Sequence, residues 1–349
     1  MNFYTKQHRY YCGIDLHAKT MYVCIIDTNG KVVFHKNIKS NKDTLHKAIS
    51  PYLDDIVIAV ECMFSWYWVS DFCADHELTF ILGHALYMKA IHGGKAKNDK
   101  IDSYKIANLA RGGNFPVSYV YPREMRSTRD LLRRRMHLMR KRAELLAHIH
   151  NTNTQYNYPD IAKNLRYKSN RELMINRFDD PSVQKSIDLD LQLIDFYDKQ
   201  LSAVEAYIKK HAKIHDYESF MLLKSVPGIG DIIAMVILYE IHDISRFPTV
   251  QKFASYARLV KCQAQSAGKS FGTSGAKIGN PHLKWAFSEA AVIFLRNNPA
   301  AKAYINKLTK KHSKGKAISI LAHKLGRAVY FMLKRKKPFN IEYFFAAVR

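Results

Sequence analysis

Nearly all of the strand-forming pattern in this chain is used before residue 83. Short apolar runs at 10–14, 21–27 and 32–38 read as three β-strands, with the Asn29-Gly30 turn signal between the last two. A short helix at 42–51, an apolar strand at 56–60, a helix at 64–76 and a strand at 78–82 follow. Three strands, a helix, then strand, helix and strand is the element order of an RNase H-like or RuvC-like α/β domain.

Beyond residue 122 the period changes to that of a helix and stays there. Residues 126–149 read as one long basic helix, and Pro159, Asn170 and Pro181 break the pattern over 151–181. The helix over 182–211 then places Ile187, Leu191, Ile194, Tyr197, Leu201, Val204 and Ile208 on one face. Two long helices around an irregular tip suggest an antiparallel coiled-coil arm suited to dimerisation; packing inside an ordinary helical bundle is the competing reading. The last third opens on Val226-Pro227-Gly228-Ile229-Gly230, whose backbone N–H groups would suit phosphate oxygens at the start of an apolar helix at 232–241. A helix at 247–259, a polar loop over 261–280 and further helices complete the chain. The expected class is α/β plus all-α: a RuvC-like N-terminal domain over 1–122, a helical arm over 123–215 and a mainly helical C-terminal domain over 216–349.

Charge indicates the partner. Lys and Arg total 55 against 30 Asp and Glu, a formal net charge of +25. Between Ile244 and Ile341 the only acid is Glu289, against twenty Lys and Arg. A solvated surface ordinarily mixes both signs, so this asymmetry points to a polyanion, best read as nucleic acid. A second block holds Arg133, Arg134, Arg135, Arg140, Lys141 and Arg142. No run approaches the roughly 20 apolar residues of a membrane span, and no secretory signal is apparent, so a cytoplasmic protein is expected. Cys12, Cys24, Cys62, Cys73 and Cys262 are scattered without zinc-finger spacing and read as reduced core thiols.

Two constellations carry chemistry. Asp15 ends the first strand within Gly13-Ile14-Asp15-Leu16-His17, Glu61 ends the fourth, and Asp99 and Asp102 lie one helical turn apart in Lys97-Asn98-Asp99-Lys100-Ile101-Asp102-Ser103. In an RNase H-like sheet the first and fourth strands are neighbours, so these four acids converge. Packed carboxylates repel, and a hard divalent cation, Mg²⁺ or Mn²⁺, resolves the conflict while clamping a scissile phosphate. The second is the loop Gln265-Ser266-Ala267-Gly268-Lys269-Ser270-Phe271-Gly272-Thr273-Ser274-Gly275 in the acid-poor window. A serine there could attack phosphorus, or its hydroxyls could simply donate hydrogen bonds to phosphate.

These motifs, in this order, resemble the IS110 family of DEDD transposases, over nearly the whole chain. Gly13-Ile14-Asp15, Glu61 and the Asp99–Asp102 segment match its DEDD, RuvC-like motifs. Val226-Pro227-Gly228-Ile229-Gly230, Arg246-Phe247 and Tyr256-Ala257-Arg258-Leu259 match the start of its C-terminal transposase domain. Lys277-Ile278-Gly279-Asn280-Pro281-His282-Leu283-Lys284 matches a Gly-Asn signature, with Lys284 replacing an arginine. The resemblance implies a catalytic serine upstream of that signature. Ungapped counting places it on Ser266 rather than Ser270 or Ser274, although Ala267 stands where glycine is usual. It further implies donor and target double-stranded DNA as substrates, a non-coding bridge RNA as guide, and a homodimer or homotetramer that shares composite sites. The alternatives are a RuvC-like structure-specific nuclease using water, and a non-catalytic nucleic-acid-binding protein.

Overall fold

The computed structural model describes residues 2–91, 98–261, 265–267, 269–270, 278–296 and 298–346. The chain divides into two compact units, Met1–Glu124 and Met125–Arg349.

In the first unit a short strand, β1 (Phe3–Tyr4), precedes three longer ones: β2 (Tyr10–Leu16), β3 (Thr20–Asp27) and β4 (Val32–Lys39). Helix α1 (Lys42–Ile49), strand β5 (Ile56–Glu61), helix α2 (Tyr67–Asp75) and strand β6 (Thr79–Gly83) follow, then α3 (Ala85–Ile91), α4 (Asp99–Arg111) and β7 (Phe115–Pro116). The five-stranded sheet runs β4-β3-β2-β5-β6, with β2 antiparallel to β3 but parallel to β5, and β5 parallel to β6. The expected α/β order is present. β2 and β5 are buried on both faces, hence their nearly unbroken apolar sequences. One face packs Cys12, Ile14, Ile58 and Val60 against Leu45, Ile49, Val69 and Phe72 of α1 and α2. The other packs Tyr11, Val57 and Ala59 against Ile106, Ala107 and Ala110 of α4.

Gly13 sets how close α4 comes. A Cβ there would lie 2.2 Å from the Ser103 carbonyl oxygen and 2.4 Å from the Ala107 nitrogen. The helix backbone rests directly on β2, leaving no room for any side chain. Two local expectations shift. The second helix begins at Tyr67 rather than 64, because Phe64 is 83% exposed and joins neither core. Cys12, Cys24 and Cys73 are buried thiols as expected, but Cys62, just past the end of β5, is exposed; Cys262 lies outside the described residues.

The second unit is helical. α5 (Arg123–Gln155) and α6 (Pro181–His211) run antiparallel, since Arg135 pairs with Glu205, Arg142 with Asp198 and His148 with Asp190. Leu146, Ile149, Met174, Phe178, Ile187 and Ile194 form the core of this hairpin's outer end. Beyond it, α7 (Tyr217–Lys224) leads to α8 (Asp231–Ile241), whose residues from Ile233 to Ile241 are all buried. α9 (Val250–Tyr256) is shorter than the expected 247–259: Thr249 caps its start, and Arg258 leaves it with φ +55°. The expected loop contains two short paired strands, β8 (Gln265–Ser266) and β9 (Lys269–Ser270). Helices α10 (Pro281–Phe294), α11 (Pro299–Thr309), α12 (Lys314–Arg335) and α13 (Ile341–Ala346) follow. α8, α10 and α12 share one large core through Ala234, Ile237, Phe287, Ala290, Leu325 and Val329.

Replacing Gly13 by Ala should push α4 off β2 and lower the stability of the chain by about 1–3 kcal/mol. Denaturant unfolding of the variant checks this; an unchanged midpoint would contradict the close approach.

Candidate active site

The parallel register pairs Ile14 with Val60, so Asp15 and Glu61 are the next residues along two neighbouring strands. Alternation turns both away from the α1–α2 face, towards the face that α4 covers. Asn98 caps α4, its side-chain oxygen accepting from the Ile101 N–H at 2.8 Å. That cap starts the helix at Asp99 and puts Asp99 and Asp102 in its first turn. Carboxylates there also suit the positive end of the helix dipole.

Asp15, Asp99 and His17 each offer a ligand atom, all within 4.8 Å of one another. His17 Nε2 lies 3.5 Å from Asp15 Oδ2 and 3.6 Å from Asp99 Oδ2. Asp102 is held by Lys105 at 3.8 Å, yet its charge acts on Asp15. Burial raises the Asp15 carboxyl above its ordinary range, and the charges of Asp99 and Asp102 add to the rise, against an opposing pull from His17. The structure thus gathers Asp15 with Asp99, sets Asp102 near enough to be felt, and ends β5 with Glu61 on the neighbouring strand. His17 was not singled out in the sequence. Its signal was Asp-x-His at strand spacing, which turns both side chains to one side of a sheet. Carboxylate oxygens with one imidazole nitrogen offer a donor set that could hold a divalent cation.

The second constellation has a described base. The chain between α9 and α10 leaves and returns at adjacent points: Asn280 N–H donates to the Tyr256 carbonyl at 2.6 Å, and Arg258 Nε donates to the Ile278 carbonyl at 2.8 Å. Gly279, at φ +87°, makes this crossing possible, since a Cβ would lie 2.7 Å from the Tyr256 oxygen. Asn280 is buried; its oxygen caps α10 by accepting from the His282 and Leu283 N–H groups, and its Nδ2 donates to Glu240 at 2.7 Å. Glu240, 2% exposed, also accepts from Arg133 at 2.7 Å and from Arg129 at 3.1 Å. Burial pushes its carboxyl up, but the Arg133 hydrogen bond, the two guanidinium charges and Asn280 outweigh that and hold it down to about 2. Burial and nearby arginines push His282 down to about 4, so it is neutral at pH 7. Between these feet lies the β8–β9 hairpin with Ser266 and Ser270; Ser274 lies outside the described residues. Ala267 sits at φ +49°, a left-handed position that favours glycine.

The two basic blocks fare differently. Arg133 binds Glu240, Arg135 binds Glu205, Lys141 binds Glu144 and Arg142 binds Asp198, so four of the six cations in the α5 block already have acidic partners. Arg134 and Arg140 are exposed. Lys336 is likewise taken by Asp216 and Glu218. The acid-poor window instead exposes Lys302, Lys310, Lys311, Lys314 and Lys316 along α11 and into α12. No described helix is long and apolar enough to cross a membrane.

The family described as "Transposase IS116/IS110/IS902 family" matches residues 221–306, and a model of IS110-type DEDD transposases matches residues 12–158. The transposase for insertion sequence element IS1111A of Coxiella burnetii is 21% identical over 336 residues, covering 94% of this chain and 90% of that protein. An uncharacterized 43.6 kDa protein of insertion element IS110 from Streptomyces coelicolor is 29% identical over 144 residues, covering 40% of this chain and 34% of that one. The transposase for IS1328 of Yersinia enterocolitica is 25% identical over 147 residues, 41% of this chain and 43% of its own length. These matches, with the mixed α/β unit and its acidic cluster, define a DNA-transposing enzyme of the DEDD class, which implies dependence on a divalent metal. The chain belongs to the IS110 family of insertion-sequence transposases.

The lowered Glu240 carboxyl has a stability consequence. A group whose folded pKa lies below its usual 4.5 contributes stability that is complete above that value and lost as pH falls through about 2. The stability gap between wild type and Glu240→Gln should therefore close by something of order 3 kcal/mol across that window. Denaturant unfolding at stepped pH measures it; a gap independent of pH would refute the charged assignment.

Proposed function

We propose that this transposase breaks and rejoins DNA by two transesterifications through Ser266, with a Mg²⁺ or Mn²⁺ ion held by Asp15, Glu61, Asp99 and Asp102. The observation that carries the reading is the convergence of Asp15, His17 and Asp99 within 4.8 Å at the end of β2. A bound cation there would neutralise charge building on the scissile phosphate. The chain's own groups would do the rest. The Ser266 hydroxyl attacks phosphorus and gives up its proton, a P–O bond to a deoxyribose oxygen breaks, and that oxygen takes up a proton. A phosphoserine link then holds the strand until another deoxyribose hydroxyl attacks it and restores the serine. One phosphodiester replaces another, so no nucleotide triphosphate is consumed.

The family resemblance implies a composite site in which protomers of a homodimer or homotetramer contribute the serine and the carboxylates. The antiparallel α5–α6 hairpin suits an arm used in that assembly. The exposed lysines of α11 and α12 suit phosphate backbones of donor and target DNA and of a bridge RNA, the guide that the family resemblance implies.

Ser266→Ala should abolish a covalent protein–DNA adduct that the wild type forms in Mg²⁺. An adduct that persists in the variant would move the nucleophile elsewhere, and cleavage without any adduct would favour a water-using nuclease. Asp15→Asn should reduce cleavage by at least 100-fold with DNA affinity within tenfold, about 1.4 kcal/mol; undiminished cleavage in EDTA would sink the metal role. Changing Lys310, Lys311, Lys314 and Lys316 to Gln should flatten the dependence of log K on log salt by about one unit per lost phosphate contact. An unchanged slope would place the nucleic acid on another surface.

A further inference from the structure

A buried acid reaches the base of the serine loop, and it is also bound to the long helix of the arm. Glu240, near the end of α8, takes Arg129 and Arg133 of α5 on one side and Asn280 on the other. Asn280 in turn fixes the return of the loop, through its own N–H on Tyr256 and its cap on α10, while its amide also lies 3.4 Å from the Tyr256 hydroxyl. Each of Asn280's polar groups is thereby used. A buried carboxylate of this kind is costly to place, and an apolar contact between α5, α8 and α10 would pack as well or better. What the polar network adds is direction: a charged acceptor fixes one orientation of the Asn280 amide, and with it the exit of the loop. The neighbouring Gly279 and Arg258 hold positive-φ conformations at the same crossing, so the loop's feet cannot slide without breaking these bonds.

We propose that Glu240 is a positioning residue for strand transfer: through Asn280 it ties the foot of the loop that carries Ser266 to the arm helix α5, so that the chain returns to α10 at one fixed place. The inference rests on Ser266 being the nucleophile. It also accounts for the asparagine of the Gly-Asn signature as the joint between helix cap and buried acid, with Glu240 contributed from a separate stretch of chain.

The decisive variant is Asn280→Ser. Serine retains a helix-capping oxygen for α10 but has no amide to donate to Glu240, and Glu240 keeps both arginines. We expect full-length N280S to fold and to bind donor DNA with an affinity within twofold of wild type. Its single-turnover rate of protein–DNA adduct formation should fall at least tenfold. Amide hydrogen exchange over 259–280 should speed up at least tenfold while α8 and the body of α10 keep wild-type protection. Glu240→Gln should show the same two changes alongside its loss of stability. Wild-type adduct rate and wild-type exchange in folded N280S would overturn the proposal. So would a slowed rate with loop exchange unchanged, since the residue would then act other than by placement. Should the wild type form no adduct at Ser266, the reading beneath fails, and the exchange measurement alone decides: faster exchange confined to 259–280 upholds Glu240 as the loop's anchor, and uniform or unchanged exchange rejects it.

Discussion

The contact between α4 and β2 is closer than side chains allow, and the carboxylate cluster depends on it. Gly13 contributes no Cβ, so the Ser103 carbonyl and the Ala107 nitrogen sit where one would be. The helix that follows Asn98 therefore starts beside the end of the strand, and its first-turn acids come close to Asp15, with Asp99 still exposed to solvent. A side chain at 13 would lift that helix by its own thickness, and the first acids to separate would be Asp99 and Asp15. The same closeness burdens Asp15, which is half-buried among like charges and raised in pKa for that reason. Repulsion of this kind is what a divalent ion relieves, so packing and metal affinity have a common origin here.

The helical unit solves a different problem. It has to place a loop rather than an ion. α8 is apolar along almost its whole length, yet carries Glu240 near its last turn, where two arginines and an asparagine saturate it. Truncating one partner of such a group leaves a buried charge unpaired, which costs more than the pair contributes. The network is therefore unforgiving, a property suited to a joint that has to keep one geometry.

Net charge was a sound guide to a polyanionic partner and a poor guide to which cations meet it. The α5 block looks like a phosphate-binding stripe when read along the chain, but Arg133, Arg135 and Arg142 are bound to acids contributed by α6 and α8. Those acids lie between 56 and 107 residues away, so no local window could have paired them. Lys302, Lys310, Lys311, Lys314 and Lys316 lie in a stretch with almost no acids, and they are exposed to solvent.

What the sequence determined by itself was local: strand and helix order, the acids at the strand ends and one helical turn apart, and the order of motifs that marks the family. Periodicity and capping depend on neighbours within a few residues, so they are legible in a line of letters. Tertiary structure alone decided what depends on distant partners. It brought Asp15 and His17 to Asp99, paired Arg133, Arg135 and Arg142 of the α5 block with acids of α6 and α8, and joined Asn280 to Glu240. Each of these is a contact between segments far apart in the chain, and burial turns such a contact from a weak surface pairing into one that fixes position.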